Sequence, residues 1–578
     1  MRRAALKAHR FLKTLIFFAA VFLLSFFGNG LLFAAEKISI KLAMFAAGDG
    51  IFDDLRILAL ESNRVFFSFT PPLSSYEILN FLSDIEEYKL SVSGKQAFDR
   101  IERRLFPKTI FELKGFSLSA GLSLGGEISV RTNDDIYWTL PDLDRPEFIR
   151  IPVNLYLMDI AQLSFEEAYQ NFPGVRNDNS YINTNLPVKF DFLDGGGRPF
   201  RAFAALGKNW WNIQIGRDRL SFGGARSGNL LLSDTPDYYD FARISVFASW
   251  IKYSMVISQI PLFFNQSFVD PLIVDFSNNQ DIQTGSVNRY TYIHRIDVSL
   301  GKKFSLGITE QLITGDSSIQ LRFLNPFMFT HNYFSGYDNP KWGNDIGMMD
   351  NALFSIDFHC APFKNLSFYG QWVIDEINIK IFEGGSNEPG GMGYLAGVEY
   401  YMPFKKSAAL FFAEFVYADP YLYVDNSPFA ASYWFRRMVG NPVSDSRYRW
   451  IGHPNGRDAI TLILGSRIYL NEKLNIAAGA GYAVRGEHGI VWDLTNSEYS
   501  AAERTPTGRP EHALTFSASA EYKLTKTITA YGGAALDIMF NAYHGDTALG
   551  GMEFSIGVKY SNFFQISKHF LKDNVFGR

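Results

Sequence analysis

The chain has 578 residues, and its 55 Lys and Arg against 59 Asp and Glu leave a formal net charge of −4. This near balance excludes the basic footprint of a nucleic-acid-binding protein, and the 47% hydrophobic content excludes an acidic disordered tail. One cysteine, Cys360, excludes an intramolecular disulfide framework and a thiolate zinc cluster, whereas 54 Phe, 29 Tyr and 48 Gly are typical of a β-rich protein that meets lipid.

Residues 1–35 have the order of a secretory signal peptide. Five basic residues precede Thr14, an apolar run extends from Thr14 to Phe27, and the small residues Ala34 and Ala35 stand where cleavage is expected. An uncleaved membrane anchor is the alternative, because residues 14–35 are just long enough to span a bilayer. In either case we expect the rest of the chain to be exported.

Residues 36–112 are predicted to form a small periplasmic, plug-like helical segment. Ser74 and Glu77 have the spacing of a capping box, and apolar residues at positions 78, 82 and 85 then lie on one helical face. A second helix is predicted around 95–105, where Ala97, Ile101 and Leu105 form an apolar stripe. The segment is too small to be a domain by itself.

From residue 113 to 578 the hydrophobic period changes to two. Residues 514–523 and 552–561 alternate between apolar and polar side chains over about ten positions, with aromatic residues near segment ends. This pattern predicts an all-β fold, a transmembrane antiparallel β-barrel of about 16–18 strands; a large soluble sandwich or propeller is the alternative. Long loops are expected near 132–180, 261–289, 324–349, 376–391, 419–457 and 486–511, with short turns at the other end of the barrel.

Motifs for catalysis, metals and cofactors are not found in the sequence. The nine His residues lack the HExxH spacing of a zinc site, and the serine of GGARSG (223–228) is one position out of register for a nucleophile elbow. Asp375 and Glu376 are adjacent on a predicted strand, so they point to opposite faces and cannot act as a pair. We therefore expect no enzyme activity, no cofactor and no metal; the alternative is a barrel enzyme whose site is assembled from distant strands.

Two predicted loops, 322–345 and 417–441, combine aromatic rings with amides and charges. Flat rings cover the C–H surface of sugars, and neighbouring polar groups fix the orientation of hydroxyls. The candidate ligand-binding residues are Tyr333, Tyr337, Trp342, Trp434 and Arg436. The alternative is that these rings pack the loops together and form the membrane-interface belt.

Several stretches together resemble the Wzi-type capsule assembly family of outer-membrane barrels. They are WWNIQIGRDRLSFGGARSGNLLLSD (210–234), HRIDVSLGKKFSLGITEQLI (294–313), LRFLNPF (321–327), DNALFSIDF (350–358), LSFYGQWVIDE (366–376) and IGHPNGRDAI (451–460). The helical stretch PPLSSYEILNFLSDIEEYKLSVSGKQAFDRI also resembles the leading segment of distant members. The likeness covers most of residues 70–470.

The resemblance implies a barrel of about 18 strands in the cell outer membrane that binds exported polysaccharide and helps attach it, without catalysis. The implied partners are surface polysaccharide, outer-membrane lipid and the barrel-assembly machinery, with no nucleic acid. A plugged lumen is implied as well, with a charge network whose candidate members are Arg217, Asp218, Arg219, Arg295, Asp357, Asp375 and Arg467. A porin or substrate-specific channel is the alternative function, and it differs in having an open lumen.

Overall fold

The computed structural model describes most of the chain after residue 40. The described residues are 41–66, 68–106, 108–113, 115–133, 135, 146–169, 182–186, 201–260, 262–263, 286–315, 318–326, 349–376, 390–405, 407–424, 431–437, 446–489 and 503–564. Among them, none of the helices has both the length and the apolar character needed to cross a bilayer.

Three α-helices lie near the start of the described chain: α1 (Ile51–Glu61), α2 (Ser75–Leu82) and α3 (Val92–Leu105). The predicted capping box is confirmed, because Ser74 accepts a hydrogen bond from the Glu77 backbone N–H and the Glu77 carboxylate accepts one from the Ser74 backbone N–H. The predicted second helix is confirmed as α3, whose apolar stripe is fully buried. Short 3₁₀ turns lie at Glu87–Lys89 and Leu321–Leu324.

The strands make up most of the remaining structure. In chain order they are β1 (Met44–Phe45), β2 (Leu73–Ser74), β3 (Phe111–Leu113), β4 (Phe116–Arg131), β5 (Ile149–Leu157), β6 (Ala161–Tyr169), β7 (Ile182–Thr184), β8 (Arg201–Lys208), β9 (Trp211–Asp218), β10 (Tyr239–Phe247), β11 (Ile251–Gln259), β12 (Leu262–Phe263), β13 (Ser286–Val287), β14 (Tyr290–Ser299), β15 (Phe304–Gly315), β16 (Met349–Phe363), β17 (Leu366–Glu376), β18 (Gly391–Pro403), β19 (Ala408–Ala418), β20 (Tyr433–Arg437), β21 (Ser446–Trp450), β22 (Ala459–Tyr469), β23 (Leu474–Arg485), β24 (Glu511–Lys523), β25 (Ile528–Ala542) and β26 (Thr547–Phe563).

Eighteen long strands close into an antiparallel barrel within the described residues, which confirms the predicted fold class. The strands outside this set are the short ones, β1, β2, β3, β7, β12, β13, β20 and β21. The ring is sealed where β26 pairs with β4, in a register that runs from Glu553↔Arg131 to Phe563↔Gly121. Closure leaves the barrel without a free sheet edge, as a spanning sheet in lipid requires.

Alternation along each strand separates an oily outer face from a polar inner face. On β26 the outward residues Phe554 and Ile556 are 50% and 70% exposed, while Glu553 and Ser555, which alternate with them, point to the lumen. Outward apolar residues and inward polar ones are the arrangement expected of a barrel in a bilayer.

The two ends of the barrel differ in the length of their connections. At one end, here called the short-turn end, two to four residues join neighbouring strands, as between β8 and β9 or between β16 and β17. Trp210, Trp250, Leu300 and Phe363 stand exposed at these turns, between 57% and 68%. Large apolar residues in such a ring mark a membrane–water interface. The other end, here called the long-loop end, carries the longer connections.

Two of the predicted long loops need correction, and one helix inside the predicted helical segment was not predicted. The stretch 132–180 contains β5 and β6, and 419–457 contains the β20–β21 hairpin. Pro152 interrupts the expected strand pattern of β5 but is accommodated on the barrel wall.

Helix α1 was missed because nine of its eleven residues are buried, so its sequence shows no polar face of the usual helical period.

Candidate functional site

Residues 41–110, here called the plug, occupy the lumen at the short-turn end. The apolar side chains of α1, α2 and α3 form one cluster that includes lumen-facing residues of the wall, Tyr156, Tyr401, Ala408 and Leu410. Two backbone bonds tie the plug to the short turns, from Val65 N–H to Lys302 O and from Asn365 N–H to Leu60 O. The barrel wall and the plug therefore share one hydrophobic core.

Buried charges also join the plug to the wall. The Lys252 ammonium on β11 is fully buried and donates to the Glu77 carboxylate of α2 and, at 2.7 Å, to the Thr70 hydroxyl. Burial by itself would raise the pKa of Glu77, but the Lys252 and Arg243 charges hold that pKa below its ordinary value. An unpaired charge at this depth would cost several kcal/mol, so each partner requires the other.

A second insertion enters the lumen from the long-loop end. Residues 219–238, here called the inner loop, follow β9 and carry five fully buried apolar side chains, Leu220, Phe222, Leu230, Leu231 and Leu232. The Glu414 carboxylate on β19 accepts hydrogen bonds from the backbone N–H groups of Arg226 and Ser227, the second at 2.8 Å. The inner loop is thus held by the wall through its backbone.

Plug, inner loop and wall meet at a charge cluster, defined here as Asp53, Arg56, Arg226, Glu399 and Arg467. The Arg226 guanidinium lies 2.8 Å from the Asp53 carboxylate and 2.6 Å from the Glu399 carboxylate, which is 3.1 Å from Arg56. Arg467 pairs with the other Asp53 oxygen. Burial alone would raise the pKa of Asp53. The three arginines around it lower this pKa by more than burial raises it, so the pKa of Asp53 lies below its ordinary value. The charge cluster therefore joins the plug, the inner loop and the barrel wall through ion pairs.

The residues proposed for the lumenal network have different surroundings. Arg295 bridges Asp297 and Asp357 at 2.6 and 2.5 Å, deep in the lumen. Asp218 pairs with Arg201 at 2.7 Å and accepts a bond from the Arg219 backbone N–H. This group of five charged side chains is divided between two sets, one on β14 and β16 and the other on β8 and β9.

Three further members stand apart from that group. Arg467 joins the charge cluster instead, and Asp375 accepts a hydrogen bond from the Tyr423 backbone N–H of a long-loop segment. Arg217 lies on the outer face of β9, because it is adjacent to the inward Asp218; it pairs with Asp240 at 2.7 Å and lies over the Tyr238 ring.

Sequence reasoning missed most of the charge cluster. Glu399 and Glu414 occupy inward positions of strands whose alternation was readable, but nothing in the sequence identifies their partners in the inner loop, which lie 173 to 188 positions away. Asp53 and Arg56 sit on the helix whose pattern was not recognised. The available signal was the presence of acids on the polar face of long strands.

The aromatic loop candidates are only partly within the described residues. Trp434 on β20 is 1% exposed and packs edge-on against Tyr238, with ring centroids 5.3 Å apart. A buried ring holds loops together and offers no face to a ligand. Tyr333, Tyr337 and Trp342 lie outside the described residues, and Arg436 lies on β20 with a side chain outside them.

Ser227 and His453 form a contact that resembles half of a nucleophile–base pair. The Ser227 hydroxyl is 3.3 Å from His453 Nε2, and His453 Nδ1 accepts a hydrogen bond from the Asn455 backbone N–H. Burial lowers the pKa of His453 to about 3, so the ring is neutral, and the proton resides on Nε2 because Nδ1 is the acceptor. A ring that donates to the hydroxyl cannot remove its proton, so this pair is structural.

Beside the plug, the wall from β22 to β26 lines an open crevice. One cavity of about 620 Å³ and a second of about 360 Å³ share four lining residues, Arg467, Ala477, Ser519 and Glu521. The wall of the larger cavity is built mainly of Gly, Ala and Ser, and the smaller one reaches Asn471, Glu472 and Lys523 at the short-turn end. Among the described residues, the lumen is therefore filled on one side and open along the other.

Comparisons with known proteins agree with this architecture. The family model described as capsule assembly protein Wzi matches residues 153–547, which is more than half of the chain. The solved structure of Wzi from Escherichia coli, described as a carbohydrate-binding β-barrel involved in group 1 capsule assembly, is similar at a TM-score of 0.53 and 14% identity, covering 89% of this chain and 99% of that one.

Weaker structural similarity extends to other outer-membrane proteins. OmpT of Vibrio cholerae has a TM-score of 0.32 at 10% identity, covering 78% of this chain and 99% of its own. OccK11 of Pseudomonas aeruginosa has a TM-score of 0.38 at 9% identity, covering 79% of this chain and 100% of its own. A search of curated proteins finds no match.

Proposed function

This chain belongs to the capsule assembly protein Wzi family, and from that membership we propose that it binds exported surface polysaccharide and helps its assembly or attachment at the cell surface. The protein is an outer-membrane β-barrel. Its proposed partners are the polysaccharide, the surrounding lipid and the barrel-assembly machinery that would insert it.

The observation that carries this proposal is the double filling of the lumen. A barrel whose plug, inner loop and wall are joined by a buried charge cluster is suited to be a rigid platform for its outer loops. The carbohydrate-binding description of the Escherichia coli relative supports the same function. Binding would take place at the long-loop end, which faces away from the periplasm when the short turns face it.

We assign direct sugar contact to Tyr333, Tyr337, Trp342 and Arg436. Trp434 is assigned a different role, because its ring is buried against Tyr238 and positions the β20–β21 hairpin. Aromatic rings with polar groups nearby in the sequence would recognise sugar faces and hydroxyls.

The test is polysaccharide retention by cells that carry Trp342→Ala. We expect retention to fall by about three- to tenfold, equivalent to about 0.7–1.4 kcal/mol of binding free energy. The matched control is Trp372→Ala, which removes a tryptophan from the lipid-facing wall and leaves the loops unchanged. Full retention in the Trp342→Ala protein, with heat-modifiable migration intact in both, would refute direct contact by this residue.

The second candidate function is a channel for small polar solutes. The observation that favours it is the crevice along β22–β26, which reaches the short-turn end. Planar-bilayer recording distinguishes the two functions: the polysaccharide-binding proposal expects no steady single-channel steps, whereas steady steps would establish the channel.

A further inference from the structure

One segment of the long-loop end lies outside the barrel rather than above it. Residues 318–326, here called the strap, follow β15 and include the 3₁₀ turn Leu321–Leu324. Phe323 of the strap is 1% exposed and packs with Tyr292 and Leu312, with the Phe323 and Tyr292 ring centroids 5.3 Å apart. Tyr292 and Leu312 are adjacent to the inward residues Ile293 and Gln311 and therefore face outward, so the strap covers the outer wall.

Polar contacts fix the strap on that wall. His294 Nε2 lies 2.7 Å from the Phe323 carbonyl oxygen, which can only accept, so Nε2 donates. The other ring nitrogen then accepts from the Tyr253 hydroxyl at 2.8 Å, and the Tyr292 hydroxyl accepts from the Gln320 backbone N–H at 2.8 Å. Every polar group in this chain of contacts has a partner, which is the condition for lying against hydrocarbon.

The strap sits at a depth that belongs to the bilayer. His294 is five residues above Ser299, the last residue of β14 at the short-turn end. At a rise of ~3.3 Å per residue and a strand tilt of ~40°, this places His294 about 13 Å into an apolar band that is ~25 Å tall. The strap thus covers the wall from near mid-bilayer toward the outer leaflet.

The covered wall is polar where lipid would otherwise meet it. Glu310 and Thr314 are outward positions on β15 that are 7% and 0% exposed, and His294 pairs with Glu310 across the sheet. Lower on the same two strands, the outward Ile296 and Ile308 are 41% and 39% exposed and belong to the lipid-facing band. The lipid-facing band is therefore interrupted at the level of Glu310 and Thr314. The strap continues the apolar surface across this interruption, because its Ile319 and Leu321 are 50% and 77% exposed.

We propose that the strap is part of the lipid-contact surface, with Ile319 and Leu321 packed against acyl chains and Phe323 and the backbone shielding His294, Glu310 and Thr314. The strap is continuous with the lipid-facing band formed by Ile296 and Ile308, which identifies lipid as the occupant. The proposal is independent of polysaccharide binding. It also gives a physical role to residues 321–326 of the LRFLNPF stretch.

The test is depth-dependent quenching in the full-length protein reconstituted into phosphatidylcholine vesicles. In a Cys360→Ala background, Leu321→Cys carries a fluorescent label, Ile308→Cys is the lipid-facing control and Val92→Cys, exposed on α3, is the aqueous control. We expect acyl-brominated phosphatidylcholine to quench the label at 321 as strongly as at 308, and aqueous iodide to quench only the label at 92.

Ile319→Cys is a second reporter if the variant at 321 does not assemble. Adding Phe323→Ala to the Leu321→Cys protein should release the strap and transfer its label to iodide quenching. A label at 321 or 319 that behaves like the one at 92 in the otherwise intact chain would overturn the proposal and place the strap in water above the membrane.

Discussion

Glu399 is a wall side chain that contacts both the plug and the inner loop. It is 1% exposed and accepts hydrogen bonds from Arg56 and Arg226, which belong to the plug and the inner loop. Coulomb attraction is strong at this depth, but removing one partner leaves the others buried without compensation. The contribution of Glu399 to stability is therefore measured by comparing the native protein with a variant at this position.

Glu399→Gln should destabilise the whole barrel, by about 3–5 kcal/mol in the free energy of unfolding, because two guanidinium groups lose their shared counter-charge. Urea-induced unfolding in lipid vesicles measures the change. The control is Asp546→Asn, which breaks the exposed Arg509–Asp546 pair and should leave the transition unmoved. Equal transitions in the Glu399→Gln protein and the native protein would mean that the cluster contributes no stability.

His453 should make the packing of residues 451–458 sensitive to acid. Its folded pKa is lowered to about 3 from 6.5 by burial and by Arg485, so between these values the released loop binds a proton that the packed loop does not. Stability of the packed loop is complete above pH 6.5 and falls as the pH is lowered toward 3, by about tenfold in the opening equilibrium per pH unit.

Hydrogen exchange of the 451–458 amides, corrected for the intrinsic rate, measures this opening. His453→Gln cannot bind the proton, so its opening should be independent of pH over the same window. A native protein whose corrected exchange is equal at pH 7 and pH 5 would contradict the prediction.

At the scale of elements, helix α2 depends on a charge that also caps it. The Glu77 carboxylate accepts from the Ser74 backbone N–H, from Asn212 and from Lys252, so the start of the helix and its attachment to β9 and β11 are one network. The capping box was readable from the sequence, since it is local. The partners on the wall were not, because they lie 135 and 175 positions away.

Glu77→Gln keeps an oxygen for the cap but leaves the Lys252 ammonium buried beside a neutral amide. We expect the α2 amides to exchange with solvent at least about tenfold faster, the equivalent of about 1.4 kcal/mol, while β24–β26 remain protected. The comparison variant is Ser91→Ala, which removes the N-cap of α3 and a hydrogen bond to the Glu61 carboxylate of α1 but no buried charge, and should leave α2 exchange unchanged. Unchanged α2 protection in the Glu77→Gln protein would show that the apolar core alone holds the plug.

At the scale of the whole molecule, the part of the chain that the structure describes fills one side of the lumen and leaves a crevice along the other. Ser254 on β11 is 0% exposed beneath the plug, whereas Ser519 on β24 is exposed toward the crevice although it also faces the lumen. Small side chains on β23–β25 explain the difference, because they leave the space that Arg, Tyr and Lys residues fill on the other wall.

In a Cys360→Ala background, Ser519→Cys should react with a membrane-impermeant maleimide from the short-turn side, and Ser254→Cys should not. The two changes are chemically identical and both lie on lumenal faces, so only access differs. Mass spectrometry of the labelled protein gives the extent of reaction. Equal labelling of both positions would mean that the plug does not stay in place.

The sequence by itself determined the class of fold and its placement. Alternation along strands such as 552–561, and the aromatic residues near their ends, depend only on neighbours in the chain and on the contrast between lipid and lumen. The capping box at Ser74 and the stripe of α3 are local in the same way. The family resemblance was also carried by short stretches of sequence.

The tertiary structure alone decided what fills the barrel and which charges meet. Whether Arg217 or Asp218 points inward, whether Trp434 is exposed or buried, and whether the strap lies above or beside the barrel all depend on register and on chain segments hundreds of positions apart. Electrostatic pairing in a closed lumen is set by distances across the ring, and a linear pattern contains no information about those distances.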